Sequence, residues 1–332
     1  MKTSLQPTVR SIAAVAGVSA TTVALALRNA PRISAATKQR VGKIAAAQGY
    51  RHDPVIGRLM HHMRTRRGTR EHASVCVLAP PAGAMRFFSA RLIAGIRKRA
   101  EALGYFLSVV PFHNDNAVDR SLSTSLRTRG VEGVILLPFE GPPELMSRFD
   151  CRHFCMVAAT SAQKKPVFHS VVPNHFDNMM LVWEKLRAGG ARRIGLAFSA
   201  GHDLRVRHRS AGAAAWQMFF GQTEVVQPLI HSTLGGDEIA RWLRTERPRV
   251  VVCDHAMGEA VAAVLARGGF GPRPRLVTTN WPSAFAAAGV DQCEAEIGAA
   301  AVDLLTGMIH RGETGIPSNP RVTMINGVWR SR

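Results

Sequence analysis

The sequence predicts two unlike parts, an all-α helix-turn-helix head and an α/β core of two parallel-sheet lobes. Three observations carry this. Three short capped helical patterns fill the first fifty residues. From Ser74 the pattern changes to short β-branched or aliphatic runs alternating with longer helical segments, as parallel strands with crossover helices do. The basic excess is concentrated at the N-terminal end. The expected domains are residues 1–52 (helix-turn-helix head), 53–73 (hinge helix and linker) and 74–332 (two-lobed core).

In the head, Thr8, Ser19 and Ser34 each carry a hydroxyl able to accept from unpaired helix N–H groups. They predict helices from about Val9 to Ala16, Ala20 to Leu27, and Ala35 to Gln48, with Gly17 and Gly49 as stops. The predicted mini-core is Ile12, Val15, Ala16, Val18, Val23, Leu27, Ile33, Val41, Ile44 and Ala45. So small a core is marginal. Ala13 allows close helix approach and Gly17 the turn, which leaves Ala20, Thr21, Leu25 and Arg28 facing outward for the major groove. After Tyr50, Asp53 can cap and Pro54 can open a fourth short helix to about Met63, with Val55, Ile56, Leu59, Met60 and Met63 on one face. Residues 64–72 read as a basic linker, and His61-His62 with the following arginines fit either phosphate contact or a solvated face.

In the core, strands are expected at 75–80, 105–110, 133–137, 154–158, 193–198, 224–227, 249–253 and 275–279, as two groups of four. Helices are expected near 88–103, 117–128, 174–188, 205–219, 236–245, 256–267 and 291–311. The stretch 159–173 is expected to make the first crossing between lobes.

Charge separates the two parts. The net charge is +20; residues 1–70 hold 13 Lys/Arg against the single acid Asp53, while the remaining 262 residues hold 30 basic and 22 acidic groups. That distribution implies a polyanionic partner at the head. No uninterrupted apolar stretch is long enough to span a bilayer, and no apolar run follows the first residues, so a cytoplasmic, non-membrane protein is expected. The five cysteines (Cys76, Cys151, Cys155, Cys253, Cys293) are scattered and read as reduced core residues. The pattern Cys151-x-His153-x-Cys155 lacks a second ligand pair and does not read as a metal site. With no G-x-S-x-G elbow, H-E-x-x-H or phosphate loop, the sequence predicts neither an enzyme nor a cofactor.

The stretch TVRSIAAVAGVSATTVALALRN, followed by ISAATKQRV and GYRHDP, resembles the LacI family of bacterial transcription regulators, which usually opens T-x-x-D-V-A-x-x-A-G-V-S-x-x-T-V-S-R-x-L-N. The resemblance is strong over residues 8–64. It continues more weakly through FFSARLIAGIRKRAEALGY, VEGVILLP, VVPNHFDNM, RRIGLAF and GETGIPSNP. It implies a periplasmic-binding-protein-like core of type I, an operator of double-stranded DNA, a small-molecule effector and repression as the usual outcome. One helix-turn-helix reads a half-site, so a homodimer on a roughly palindromic operator is expected.

By this resemblance the DNA-facing residues are Thr8, Ser19, Ala20, Thr21, Thr22, Leu25, Arg28, Asn29, Ser34, Thr37, Lys38, Arg40, Pro54, Arg58 and Leu59. The family's Ser-Arg after Thr-Val is Ala24-Leu25 here, and its Pro-Asn before the hinge is His52-Asp53. The preferred operator should therefore differ from the family's common ones. Leu59 matches the leucine that the family wedges into the minor groove, although dimer packing would also account for it. The implied effector-binding residues are Phe87, Asn174, Arg209, Asp254 and Asn280. Asn174 and Asn280 stand where the family usually has Asp, so a typical sugar or purine effector does not follow. The alternative is a solute-binding protein of the periplasmic type without DNA function. It would share the core but lack the head.

Overall fold

The computed structural model describes residues 8–27, 30, 32–50, 73–80, 86–111, 120–138, 146, 149–162, 165–220, 224–231 and 235–332. The chain divides into two compact units between Arg70 and Glu71.

The first unit contains α1 (Val9–Ala16), α2 (Ala20–Leu27) and α3 (Ala35–Ala47). Each begins where a hydroxyl side chain accepts from a first-turn N–H: Thr8 from Ser11, Ser19 from Thr22, Ser34 from Thr37. Gly17 ends α1 in the left-handed region at φ +64°, and its N–H bonds to the Ala13 carbonyl. Ile12, Val23 and Val41 are fully buried at the centre, with Ala13, Ala16, Ala26 and Ala45 around them. The small alanines let three short helices approach closely enough to enclose one layer of branched side chains. Val15, expected in this core, is 63% exposed instead. The helical period carries it off the face that Ile12 and Ala16 share.

The second unit holds two six-stranded sheets. The strands are β1 (Ser74–Ala79), β2 (Phe106–Pro111), β3 (Val131–Leu136), β4 (Cys155–Ala158), β5 (His169–Pro173), β6 (Ile194–Ser199), β7 (Leu229–His231), β8 (Val250–Cys253), β9 (Arg275–Thr278), β10 (Ala288–Asp291), β11 (Val322–Ile325) and β12 (Val328–Ser331). The helices are α4 (Arg86–Ala102), α5 (Arg120–Thr128), α6 (His175–Ala188), α7 (Ala200–Arg205), α8 (Arg209–Phe220), α9 (Gly236–Glu246), α10 (His255–Ala266) and α11 (Glu294–Arg311). The first sheet runs β11-β5-β4-β3-β1-β2 and the second β12-β10-β9-β8-β6-β7. All pairings are parallel except β10 with β12. The buried, largely apolar β1, β3, β4 and β8 are covered on both faces, which is why they read as hydrophobic runs.

Four strands were not expected: β5, β10, β11 and β12. β5 lies inside the stretch 159–173 assigned to a crossing, and the chain changes lobe only after it, at Pro173 and Asn174. The expected strand 224–227 is a single bridge from Glu224 to Arg193, and the regular pairing comes later at β7. The expected helix 205–219 is α8, which starts at Arg209 after a left-handed turn, and the short α7 ahead of it was not expected. The chain crosses between lobes again from β10 to α11 and from β11 to β12. α11 lies along α4 in the first lobe, with Leu92, Ile96, Ala301, Val302 and Leu305 in one core. α6 and α8 cover the second sheet. Among the cysteines, Cys293 departs from expectation: it is only half-buried, left-handed at φ 58°, and precedes α11.

No single helix among the described residues is long and apolar enough to cross a membrane. α1 and α2 would pass on composition only as a pair, bent by 104°.

Candidate functional site: the helical head and the interlobe cavity

The 104° bend between α1 and α2 lies in the range for a DNA-reading helix-turn-helix. On α2, Thr21 is exposed and Leu25, one turn later on the same face, is half-exposed. Ala20 is half-buried and packs against the mini-core, so it is less open than expected. Thr22 and Thr37 share their hydroxyls with the caps, at 2.9 Å from Ser19 Oγ and 2.8 Å from Ser34 Oγ. Those two hydroxyl pairs fix the first turns of α2 and α3, where helix N–H groups favour phosphate oxygens. Lys38 is half-buried in the first turn of α3, and Arg40 is exposed. Arg28, Asn29, Pro54, Arg58 and Leu59 lie outside the described residues, as does the whole expected hinge helix.

A cavity of about 460 Å³ opens between the two lobes of the core. Its walls are built from residues just past strand carboxyl ends: Pro138 after β3, Thr160 and Ser161 after β4, Ser199 closing β6, Asp254 after β8, Asn280 after β9 and Gln292 after β10. This is where open parallel sheets bind ligands, because the chain leaves every strand there and helix N-termini converge. Trp281, Val206 and Pro173 supply apolar wall.

Asp254 and Asn280, both expected, line the cavity. The Asp254 carboxylate is only 2% exposed and already accepts from Ser199 N at 2.6 Å, Ser199 Oγ at 2.9 Å and Met257 N at 2.9 Å. It caps α10 and ties that helix to the end of β6. Among the described residues the Asn280 side-chain amide makes no hydrogen bond, since its bonds to Thr278 run through its backbone. Arg209 stands one layer back. Its Nη1 donates to Ser161 Oγ at 3.4 Å, and burial together with nearby Arg207 lowers its pKa. Asn174 is occupied within the protein instead. It caps α6 through Asp177 N, and its Nδ2 donates to Asp177 Oδ2 at 2.7 Å and Asn326 Oδ1 at 2.8 Å. Its neighbours Pro173 and His175 reach the cavity, whereas Asn174 holds the crossing between β11 and β12. Phe87 lies in α4, and its side chain is outside the described residues.

Sequence reasoning missed the three histidines that line the cavity, His175, His202 and His255. His175 is 8% exposed, and burial, helped by His202 and Arg209, lowers its pKa to about 3. His202 meets it edge-on with ring centroids 6.3 Å apart, and its pKa also falls through burial. Both rings are neutral at pH 7, each offering one donor and one acceptor. Arg91 was missed too. Its guanidinium reaches Asp291 Oδ1 at 3.0 Å, Trp281 O at 3.2 Å and Glu294 Oε2 at 3.3 Å. The charges at this end are thus paired within the protein, while burial raises the Glu294 pKa. Had β10 been recognised, the strand-end rule would have found Gln292.

Residues 8–53 match the family model described as bacterial regulatory proteins, lacI family. A transcriptional repressor named PurR from Pectobacterium carotovorum is 28% identical over 191 residues, covering 57% of this chain and 53% of that protein. The maltose regulon regulatory protein MalI of Escherichia coli is 26% identical over 222 residues, covering 67% of this chain and 62% of the relative. The chain therefore spans between about half and two thirds of the length of these curated relatives. Among solved structures, a CelR regulator in complex with cellobiose superposes with TM-score 0.61 at 18% identity, covering 98% of this chain and 99% of that one. A lac repressor dimer bound to operator and an anti-inducer gives 0.60 at 18% identity, covering 98% of each. The head at residues 8–53 is thus similar to the DNA-binding heads of the lacI family, and the core shares its fold with regulators of that type.

Proposed function

We propose that this protein is a transcription repressor whose head binds operator DNA and whose interlobe cavity binds a small-molecule effector that changes operator affinity. The observation that carries the reading is the union, in one chain, of a capped helix-turn-helix with a basic surplus and a two-lobed core whose strand ends enclose a cavity of mixed polar and apolar walls. A solute-binding protein would use such a cavity but would have no use for α1–α3. The DNA-facing set comprises Thr21 and Leu25 for bases, with Thr8, Ser19, Thr22, Ser34, Thr37, Lys38 and Arg40 for the phosphate backbone. Arg28, Asn29, Pro54, Arg58 and Leu59 extend this set. The effector set is Asp254, Asn280 and Arg209, with His175 and His202 added from the cavity. Two copies on a roughly palindromic site would double the contacts of one half-site.

The test is selection of bound sequences from a random duplex pool by the full chain, followed by anisotropy titration of the winner. A recurring two-fold site bound at least a thousandfold more tightly than random DNA is expected. Equal affinity for all sequences would reduce the head to nonspecific binding, and no DNA affinity would overturn the reading.

A further inference from the structure

We propose that α7 and the turn after it form a lid over the interlobe cavity, latched across the cleft to Ser161. The inference rests on the cavity being a ligand site, but it concerns access rather than ligand identity. α7 is a six-residue helix, too short to persist without tertiary support. Its inner side is cavity wall, since His202, Arg205 and Val206 line it. His202 Nε2 is buried there with no hydrogen-bond partner.

Both ends of this segment are fixed. At one end Ser199 is held by the Asp254 carboxylate through its N–H and its hydroxyl. At the other, Ser210 is 2% exposed at the start of α8. Between them the backbone is strained: Arg207 and His208 are consecutive non-glycine residues in the left-handed region, at φ 57° and 56°. Such residues are costly and persist only where surroundings hold them. Two sets of bonds do so. Within the lid, the buried Asp203 carboxylate takes His208 Nδ1, and the Asp203 carbonyl takes His208 N–H at 2.8 Å. Across the cleft, Arg207 Nε donates to the Ser161 carbonyl at 3.2 Å and Arg209 Nη1 to the Ser161 hydroxyl at 3.4 Å.

Ser161 follows β4 in the first lobe, and the lid belongs to the second. These two bonds to Ser161, one long and one to an exposed arginine, are among those the lid breaks when it swings away. The left-handed turn relaxes when it does. The lid is therefore poised: closed by weak bonds and preloaded by its own backbone.

The test measures access without any effector. Ala159 lines the cavity and is fully buried, so Ala159→Cys places a thiol that a small uncharged reagent, methyl methanethiosulfonate, reaches only when the cavity opens. Peptide mass mapping separates residue 159 from the native thiols. Removing both latch bonds with Ser161→Ala and Arg207→Ala should speed modification at least tenfold, while Ser161→Thr, which keeps the hydroxyl, should leave it slow. Equal rates in latched and unlatched proteins would overturn the lid and leave the ligand site untouched. Hydrogen exchange on the unmutated chain gives a second reading that needs no variant. Amides 200–208 should exchange at least a hundredfold faster than those of β6, and equal protection would overturn the lid as well.

Discussion

Arg91 Nη2 lies 3.0 Å from Asp291 Oδ1, which joins α4 of the first lobe to β10 of the second beside the crossing into α11. The same guanidinium faces Glu294, whose side chain is 2% exposed, so one arginine compensates two carboxylates at the hinge. Removing one partner of a buried pair costs more than the pair itself contributes, because the survivor keeps its desolvation penalty. Arg91→Ala should lower core stability by about 2–4 kcal/mol in urea unfolding, discounted for the partial exposure of Arg91. Adding Glu294→Gln should recover part of the loss. Burial raises the Glu294 pKa, so the folded chain holds that proton to higher pH than the unfolded chain. Its contribution then weakens the fold as pH climbs through the carboxylate range, and Glu294→Gln alone should remove that slope.

The cavity histidines His175 and His202 carry the opposite pH dependence. The folded pKa of His175 is depressed to about 3 from an ordinary 6.5, and that of His202 is depressed too. As pH falls, the unfolded chain takes up these protons first. Stability is complete above pH 6.5 and is lost progressively toward pH 3, at up to about 1.4 kcal/mol per pH unit for each group. Urea midpoints measured from pH 7.5 to 5 should fall in the unmutated protein, and the His175→Gln variant should fall less. A flat midpoint in the unmutated protein would contradict the buried neutral pair.

Much of this architecture could be read from residues because local chemistry decided it. Thr8, Ser19 and Ser34 fixed three helix starts to the residue, and the apolar runs of β1, β3 and β8 could form only buried strands. β10, β11 and β12 escaped for a physical reason. Ala288–Asp291 is small and mixed, and Val322–Ile325 is a short run of four whose side chains are mostly exposed at a sheet edge, too brief to stand out from its surroundings. The site followed the same rule. Asp254 and Asn280 were found through the family resemblance, at positions just past legible strands, whereas Gln292 was hidden behind β10. His202 lies on α7, a six-residue helix that ends where the expected helix 205–219 was to begin, and no helical pattern was read there. Asn174 was placed correctly at the start of α6, but its amide faces Asn326, 152 residues later in the chain, and no local reading reaches that contact.

Glycine at the α4–α11 contact is a packing requirement. A Cβ on Gly298 would fall 2.4 Å from the Leu92 carbonyl oxygen, and one on Gly95 would fall 2.0 Å from the Ala295 carbonyl oxygen. Both obstacles are backbone, so the helices must separate. Gly298→Ala and Gly95→Ala should each cost about 3 kcal/mol or more. Gly212 in α8 meets nothing within 4 Å, so Gly212→Ala should instead stabilise by about 0.5–1 kcal/mol through helix propensity. Thermal unfolding of the three variants decides between packing and propensity.

The head yields the prediction that separates reading from clamping. Thr21 and Leu25 project from one face of α2, the second helix of the motif, where side chains meet base edges. A leucine contacts a thymine methyl, and a threonine can bond either donor or acceptor edges, so both act on particular bases. Lys38 and Arg40 sit in the first turns of α3, behind the Ser34 cap, and their charge acts on phosphates whatever the sequence. Thr21→Ala and Leu25→Ala should therefore change which bases are preferred, at about 1–3 kcal/mol of discrimination at the contacted position. Lys38→Ala and Arg40→Ala should weaken binding to all sequences alike, and each should reduce the slope of log affinity against log salt by about one. Base preference by sequence selection and affinity across roughly 50–200 mM salt are to be measured on the same four variants. Unaltered preference in both α2 variants would move the reading face elsewhere on the head. An unchanged salt slope in both α3 variants would return Lys38 and Arg40 to a solvated surface.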